Sequence, residues 1–165
     1  DSHYYDDEWG YSYGSMEADF NIEIDDDVSS DNYYSITAYY KDTMYFDDSS
    51  SYEVYNTQLG LSSEDVYIDD ASEWGEVIFS DELFNGQKVS VNVNVNIWDY
   101  KPGMKLYWTL KNHSEDYYMY KKTFNVYQSV RGNPFAEPVQ VFSNIENGYG
   151  IFAGFAATVQ EIQMN

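Results

Sequence analysis

Val89, Val91, Val93, Val95 and Ile97 alternate with Ser90, Asn92, Asn94 and Asn96 in the stretch KVSVNVNVNI. A period of two puts the two sets on opposite faces of an extended chain, so the stretch predicts a strand with one face in a core and one in water. The period recurs in DFNIEID, where Phe20, Ile22 and Ile24 alternate with Asn21, Glu23 and Asp25. In NYYSITAYY, Tyr34, Ile36, Ala38 and Tyr40 share one face, and Tyr33, Ser35, Thr37 and Tyr39 share the other. Its β-branched and aromatic residues suit a pleated sheet. A Pro-Gly turn in YKPGMK leads into KLYWTL, with Leu106, Trp108 and Leu110 on one side. Shorter strands are expected near Met44 to Phe46, Tyr52 to Leu61 and Val66 to Ile68, and two final ones around Ile151 to Phe155 and Ala157 to Met164.

One segment departs from this period. In NHSEDYYMYKKTFNVYQSV, Tyr117, Tyr120, Phe124 and Tyr127 recur every three or four residues. Ser114 can cap a helix there, Glu115 and Asp116 favour its positive end, and Pro134 stops it. The expected fold is therefore mainly β: an antiparallel β-sandwich or partly closed barrel of about eight strands, with one helix (about 114–130) packed against it. Residues 1–15 mix Tyr, Asp, Gly and Ser without a period and are expected to be an irregular lead-in. Residues 16–165 are expected to form a single β-rich domain, a size that buries a real core.

Charge narrows the partners. The 165-residue chain has a net charge of −21, and residues 1–82 hold 23 of its 29 acidic residues against one lysine, Lys41. Such a chain repels nucleic acid and anionic membrane surfaces. The acidic half reads as a solvated face, or else as a surface for cations or a basic partner. There is no cysteine, hence no disulfide and no thiolate metal site. The apolar run around Ile151 to Val159 is too short to span a bilayer. The opening DSHYYDDEWGYSYGS is expected to be the start of a fragment or of a mature chain.

Candidate chemistry is sparse. His3 and His113 are the only histidines, and both are expected to be solvent-exposed and outside any catalytic triad. No zinc box, phosphate loop or dinucleotide fingerprint is present, and the expectation is a protein that is not an enzyme. In the turn DDDVSSD, Asp25, Asp27, Ser29 and Asp31 occupy positions one, three, five and seven of a candidate calcium loop. The loop departs from an EF-hand at Ser30, where glycine belongs, and at Ile36, where glutamate belongs. Its other reading is a plain hairpin turn. Trp74, Tyr33 and Tyr39 are candidate ligand-binding residues, since sugar rings stack on such side chains; the other reading is ordinary packing. Asn112 heads a formal N-glycosylation acceptor, NHS.

The stretch from Arg131, RGNPFAEPVQVFSNIENGYGIFAGF, holds the only arginine and two of the three prolines. After its tyrosine-bearing helix it resembles the C-terminal signature of a lipoprotein family of the Bacteroidota known as domain of unknown function 4249. DFNIEIDDDVSSDNYYSI and FSDELFNGQKVSV resemble earlier elements of that family, so the resemblance covers most of residues 18 to 156. DTM at Asp42 to Met44 resembles the O-glycosylation acceptor of exported proteins in the same phylum. The glycines and Arg131 are read as architecture: Asn147 and Gly148 for a hairpin turn, and Arg131 to anchor the helix exit to nearby carboxylates or carbonyls. The resemblance implies longer relatives with an immunoglobulin-like region and a lipid anchor N-terminal to the part seen here. It also implies a TonB-dependent receptor as partner, at the outer membrane surface or in the periplasm of a Gram-negative bacterium. It brings no catalytic residues with it. The expected function is a non-enzymatic cell-envelope ligand-binding or accessory module of such a receptor; the alternative is a structural or adhesive surface domain stabilised by calcium.

Overall fold

The computed structural model describes residues 2–6, 12–45, 52–72 and 75–164. Its elements run β1 (Ser2–Asp6), β2 (Ser12–Asp25), β3 (Tyr33–Tyr45), β4 (Tyr52–Gln58), β5 (Gly60–Ser62), β6 (Asp70–Ser72), β7 (Glu76–Ser80), β8 (Lys88–Ile97), β9 (Lys105–His113), α1 (Glu115–Val130) and β10 (Phe155–Gln163). One sheet has the order β1-β2-β8-β5; the other is β10-β9-β3-β7-β6, with β4 also paired to β3. All pairings are antiparallel. Apart from the three-residue β5 and β6, eight strands remain, as the sequence predicts. Neither sheet closes on itself, so the fold is a sandwich and not a barrel.

The alternation in the sequence becomes the core. Val91, Val93, Val95 and Ile97 of β8 are fully buried, and they share one cluster with Ile36 and Ala38 of β3, Phe79 of β7 and Leu106 of β9. Each such side chain contributes about 1.5–3 kcal/mol on burial, which fixes the register, because a one-residue slip would turn the whole row outward. The outward row of β8 meets acids of β2: Asn94 donates to Glu17 at 3.3 Å and to Asp19 at 3.1 Å. Ser90, Asn92 and Asn96 complete that outward row, and the helix lies on the other sheet.

Helix α1 lies on the outer face of the six-stranded sheet. Tyr118 is buried against Tyr33, ring centroids 4.9 Å apart, and donates to Asp69 at 2.8 Å. Tyr120, Phe124 and Tyr127 form the row that the spacing predicts, with centroids 5.6 and 6.4 Å apart. Ser114 is the N-cap residue, but its side chain makes no capping bond.

Four expectations need correction. Where it is described, the lead-in over residues 1–15 is a hairpin: β1 pairs with β2 from Ser2↔Met16 to Asp6↔Ser12. Extending β2 back to Ser12 gives the backbone of β1 a ladder to join, which its lack of side-chain period conceals. Val66 to Ile68 is a turn, closed by Ile68 N–H on the Asp65 carbonyl and Tyr67 N–H on the Asp65 carboxylate. Residues 151–154 form no strand, leaving one final strand, β10. Asn144 takes the Phe152 N–H and donates to the Phe152 carbonyl, both at 2.8 Å, using the groups a ladder needs. Asn147, at φ 55°, and Gly148 sit in a turn of this irregular segment and not between paired strands.

Candidate functional site

Three places concentrate chemistry. The first is a cleft on the open side of the sandwich. Among the described residues, residues 17–25 of β2 have β8 on one side and no strand on the other, and β10 is the edge of the opposite sheet. Between them opens a cleft of about 370 Å³. Phe20, Ile22, Ile36, Leu110 and Ile162 supply its apolar lining, and Asn21, Glu23, Thr158 and Gln160 its polar lining. Trp108 also lines it, 5% exposed, with its ring 4.7 Å from that of Phe20. The Nε1–H of Trp108 is buried and finds no hydrogen-bond partner. Glu23 is held by Lys88 at 2.7 Å, and hydrogen bonding to that lysine lowers its carboxyl from the usual range.

The second place is a polar network beneath α1. His113, expected to be exposed, is 8% exposed; it stacks on Tyr117 with centroids 4.0 Å apart, and its Nε2 lies 2.8 Å from Ser35 Oγ. Ser35 also hydrogen-bonds the carboxylate of Glu76. Glu76 pairs with Lys121 at 2.6 Å and accepts from the Tyr117 hydroxyl at 3.2 Å. Burial pushes the Glu76 carboxyl up, but the bonds from Lys121 and Ser35 outweigh it and hold the group below its usual range. Burial lowers His113 to about 4 and raises the Tyr117 phenol. His113 Nε2 and the Ser35 hydroxyl share one hydrogen bond, and His113 Nδ1 is left without a partner. A hydrolytic triad needs a reachable serine and a carboxylate on Nδ1. Here Ser35 is fully buried and the carboxylate sits on the serine. The network clamps helix to sheet.

The third place is the segment after α1. Residues 140–154 run back along the helix, tied by Phe142 N–H to Thr123 Oγ1 at 2.9 Å, by Asn144 to Asp116 at 2.8 Å and by Ser114 N–H to the Gly154 carbonyl at 3.1 Å. Tyr127, Val139, Val141, Ile145 and Tyr149 line an open groove there of about 610 Å³. Phe135, Tyr149 and Phe152 are 94%, 101% and 84% exposed. Arg131 does not anchor the helix exit through its side chain. It is exposed, only its backbone N–H bonds back, to Gln128, and its guanidinium makes no ion pair or hydrogen bond among the described residues.

The residues singled out from the sequence do not converge. Tyr33 is covered by Tyr118 of the helix. Tyr39 stacks on Tyr107 with centroids 5.1 Å apart, farther along the same sheet face, and Trp74 lies outside the described residues. In the acidic turn, Asp27 accepts from Ser29 N–H at 3.0 Å and Ser29 Oγ at 2.8 Å, while Asp25 ends β2 opposite Lys88 and Asp31 is exposed. The buried groups here are Asp26, which takes the Tyr34 hydroxyl at 2.5 Å and the Gly86 N–H at 2.8 Å, and Asn32, whose amide donates to the Ser30 carbonyl at 2.8 Å. Among the described residues no three or more His, Asp or Glu side chains gather where they could hold a metal ion. Asn112 spends its amide on Asn32 at 2.7 Å, so the formal glycosylation acceptor is engaged in a hydrogen bond. No helix among the described residues is long and apolar enough to cross a membrane.

No curated protein and no solved structure matches the chain. Residues 2–161, which span both sheets, the helix and the exposed segment behind it, match the family described as Domain of unknown function (DUF4249), and the chain belongs to that family.

Proposed function

We propose that this domain is a non-enzymatic accessory module of the cell envelope, which docks on a TonB-dependent receptor through residues 131–155 and helps it capture its ligand. The observation that carries the reading is the near-complete exposure of Phe135, Tyr149 and Phe152. Large aromatic side chains left in water along one segment, beside an unengaged arginine, have the composition of a protein-binding surface. The receptor as occupant, and a place at the outer membrane surface or in the periplasm, follow from the family resemblance. The acidic half keeps anionic lipid headgroups away from the rest of the domain.

The test is retention of receptor from solubilised native membranes on immobilised protein. The parent chain retains a TonB-dependent receptor, and a Phe135→Ser, Tyr149→Ser, Phe152→Ser variant loses it while melting at the same temperature, because these rings pack on little. Failure of the parent to retain any such receptor, or equal retention by the variant, overturns the reading.

A further inference from the structure

We infer that the free edge of β2, residues 17–25, takes up an extended segment of another polypeptide as an added strand, and that the segment it selects alternates apolar with basic side chains. The inference does not rest on receptor docking, which uses a different surface.

Three observations meet along this edge. The first is pairing. Among the described residues, β1 covers the edge from Ser12 to Met16 and goes no further, while β8 pairs the other side of β2 as far as Asp25. Alternate residues of a strand aim their N–H and C=O groups to opposite sides, so about half of those of residues 17–25 point where no described strand meets them. No proline interrupts the stretch, and an open edge of this kind is a template for strand addition. The second is missing cover. Ala18, Phe20 and Ile22 pack against the core yet are only half-buried, whereas Ile24 of the same row is buried. Beside them lies the cleft of about 370 Å³, with Leu110 and Ile162 of the opposite sheet in its lining. A strand added to β2 directs every second side chain towards this lining, which suits apolar residues there. The third is charge. Glu17, Asp19, Glu23 and Asp25 are exposed on the outward row of β2, and the paired row of β8 answers with one cation, Lys88. Neighbouring strands favour opposite charges side by side and disfavour like ones, so basic residues fit the outward positions of the added strand. A second copy of this chain does not fit, because its own edge brings the same acidic row.

Fluorescence anisotropy with capped nine-residue peptides tests the inference. One peptide alternates valine and lysine, one alternates valine and glutamate, and one has the first composition with its valines and lysines in blocks. The parent chain should bind the alternating lysine peptide at least about tenfold more tightly than either of the others. In an extended peptide the valines aim their backbone groups to one side and the lysines to the other. N-methylation of all valines or of all lysines therefore blocks opposite edges, and only one of the two should weaken binding, by at least about tenfold. Thr158→Trp, at an exposed position of β10 in the cleft lining, fills the space for the valines and should reduce the alternating peptide to the level of the blocked one. Glu17→Lys with Asp19→Lys should narrow the preference for lysine over glutamate by about threefold or more. Glu82→Lys with Glu146→Lys makes the same charge change at exposed positions elsewhere and should narrow it less. The triple serine variant of the docking segment should bind the alternating lysine peptide as the parent does. The inference is overturned if the parent binds no peptide, or binds the blocked or the glutamate peptide as well as the alternating lysine one. It is equally overturned if the two N-methylated peptides bind alike, if Thr158→Trp leaves the preference unchanged, or if both lysine pairs act equally.

Discussion

Replacing Lys121 by methionine should reveal how much the clamp beneath α1 contributes. Lys121 Nζ lies 2.6 Å from Glu76, whose side chain is 8% exposed and that of Lys121 15%. Methionine keeps most of the lysine's bulk, so the change removes the charge and leaves packing nearly intact. Removing one partner of a buried pair costs about 3–5 kcal/mol, because the other charge stays buried and uncompensated. Glu76 keeps the Tyr117 hydroxyl at 3.2 Å and the Ser35 hydroxyl. These offset part of the loss, which we place at about 2–3 kcal/mol, a fall of about 5–10 °C in Tm for a domain of this size. The pH dependence supplies the control. In the parent, Glu76 is held below its usual 4.5, so its contribution is complete above 4.5 and is lost as pH falls through the lower folded value. In the variant the largest stabiliser of the carboxylate is gone and burial raises it above 4.5. The variant's deficit should then shrink as pH falls from 7 to 5. Urea unfolding of both proteins followed by circular dichroism at pH 7, 6 and 5 measures this. A deficit below about 0.5 kcal/mol, or one that does not change with pH, refutes the reasoning.

Three further outcomes follow from the same geometry. His113, lowered to about 4 by burial against an unfolded value of 6.5, is neutral in the fold; its contribution is complete above pH 6.5 and falls as pH drops from 6.5 to 4. Histidine NMR titration should show His113 unprotonated at pH 5.5, and His113→Gln should flatten the stability profile in that window by about 2–3 kcal/mol. Gly75 has φ 71°, and an added Cβ would lie 1.9 Å from the Leu59 carbonyl oxygen, so Gly75→Ala should destabilise the domain by about 2–4 kcal/mol in urea unfolding. The acidic turn is already closed by Asp27 and Asn32, so Tm should be the same with millimolar calcium and with chelator; a rise with calcium would favour the ion-stabilised alternative.

What could be read from the sequence was what depends on a local period. The Val–Asn alternation of β8 and the tyrosine spacing of α1 place both elements correctly, because one face of each meets protein and the other water. Strands β5 and β6 are three residues long, too short for any period to register. In β10 the residues are almost all exposed, so burial imposes no pattern. Residues 151–154 looked like a strand by composition, yet one asparagine from outside the segment takes both backbone hydrogen bonds of Phe152. The cleft was invisible for a different reason. Phe20 and Trp108 belong to ordinary core-facing rows and Ile162 to a strand that is almost all exposed, and no period in any of the three strands tells that a gap lies between them. His113 was misjudged because its neighbours in sequence are polar. What buries it are Ser35, Tyr117 and Phe155, two of them from other strands.

The pairing of β8 has a consequence for synthesis. Residues 17–25 of β2 find their ladder in β8, and the full ladder of β3 waits for β9, each partner more than sixty residues further along. Most of the first half must therefore remain open while the second emerges, a topology that folds slowly and leaves apolar rows uncovered in the meantime. The 23 carboxylates of that half repel one another and their counterparts on neighbouring nascent chains. The exposed part of that charge, which adds little to the finished sandwich, thus protects the chain while it is waiting to become one.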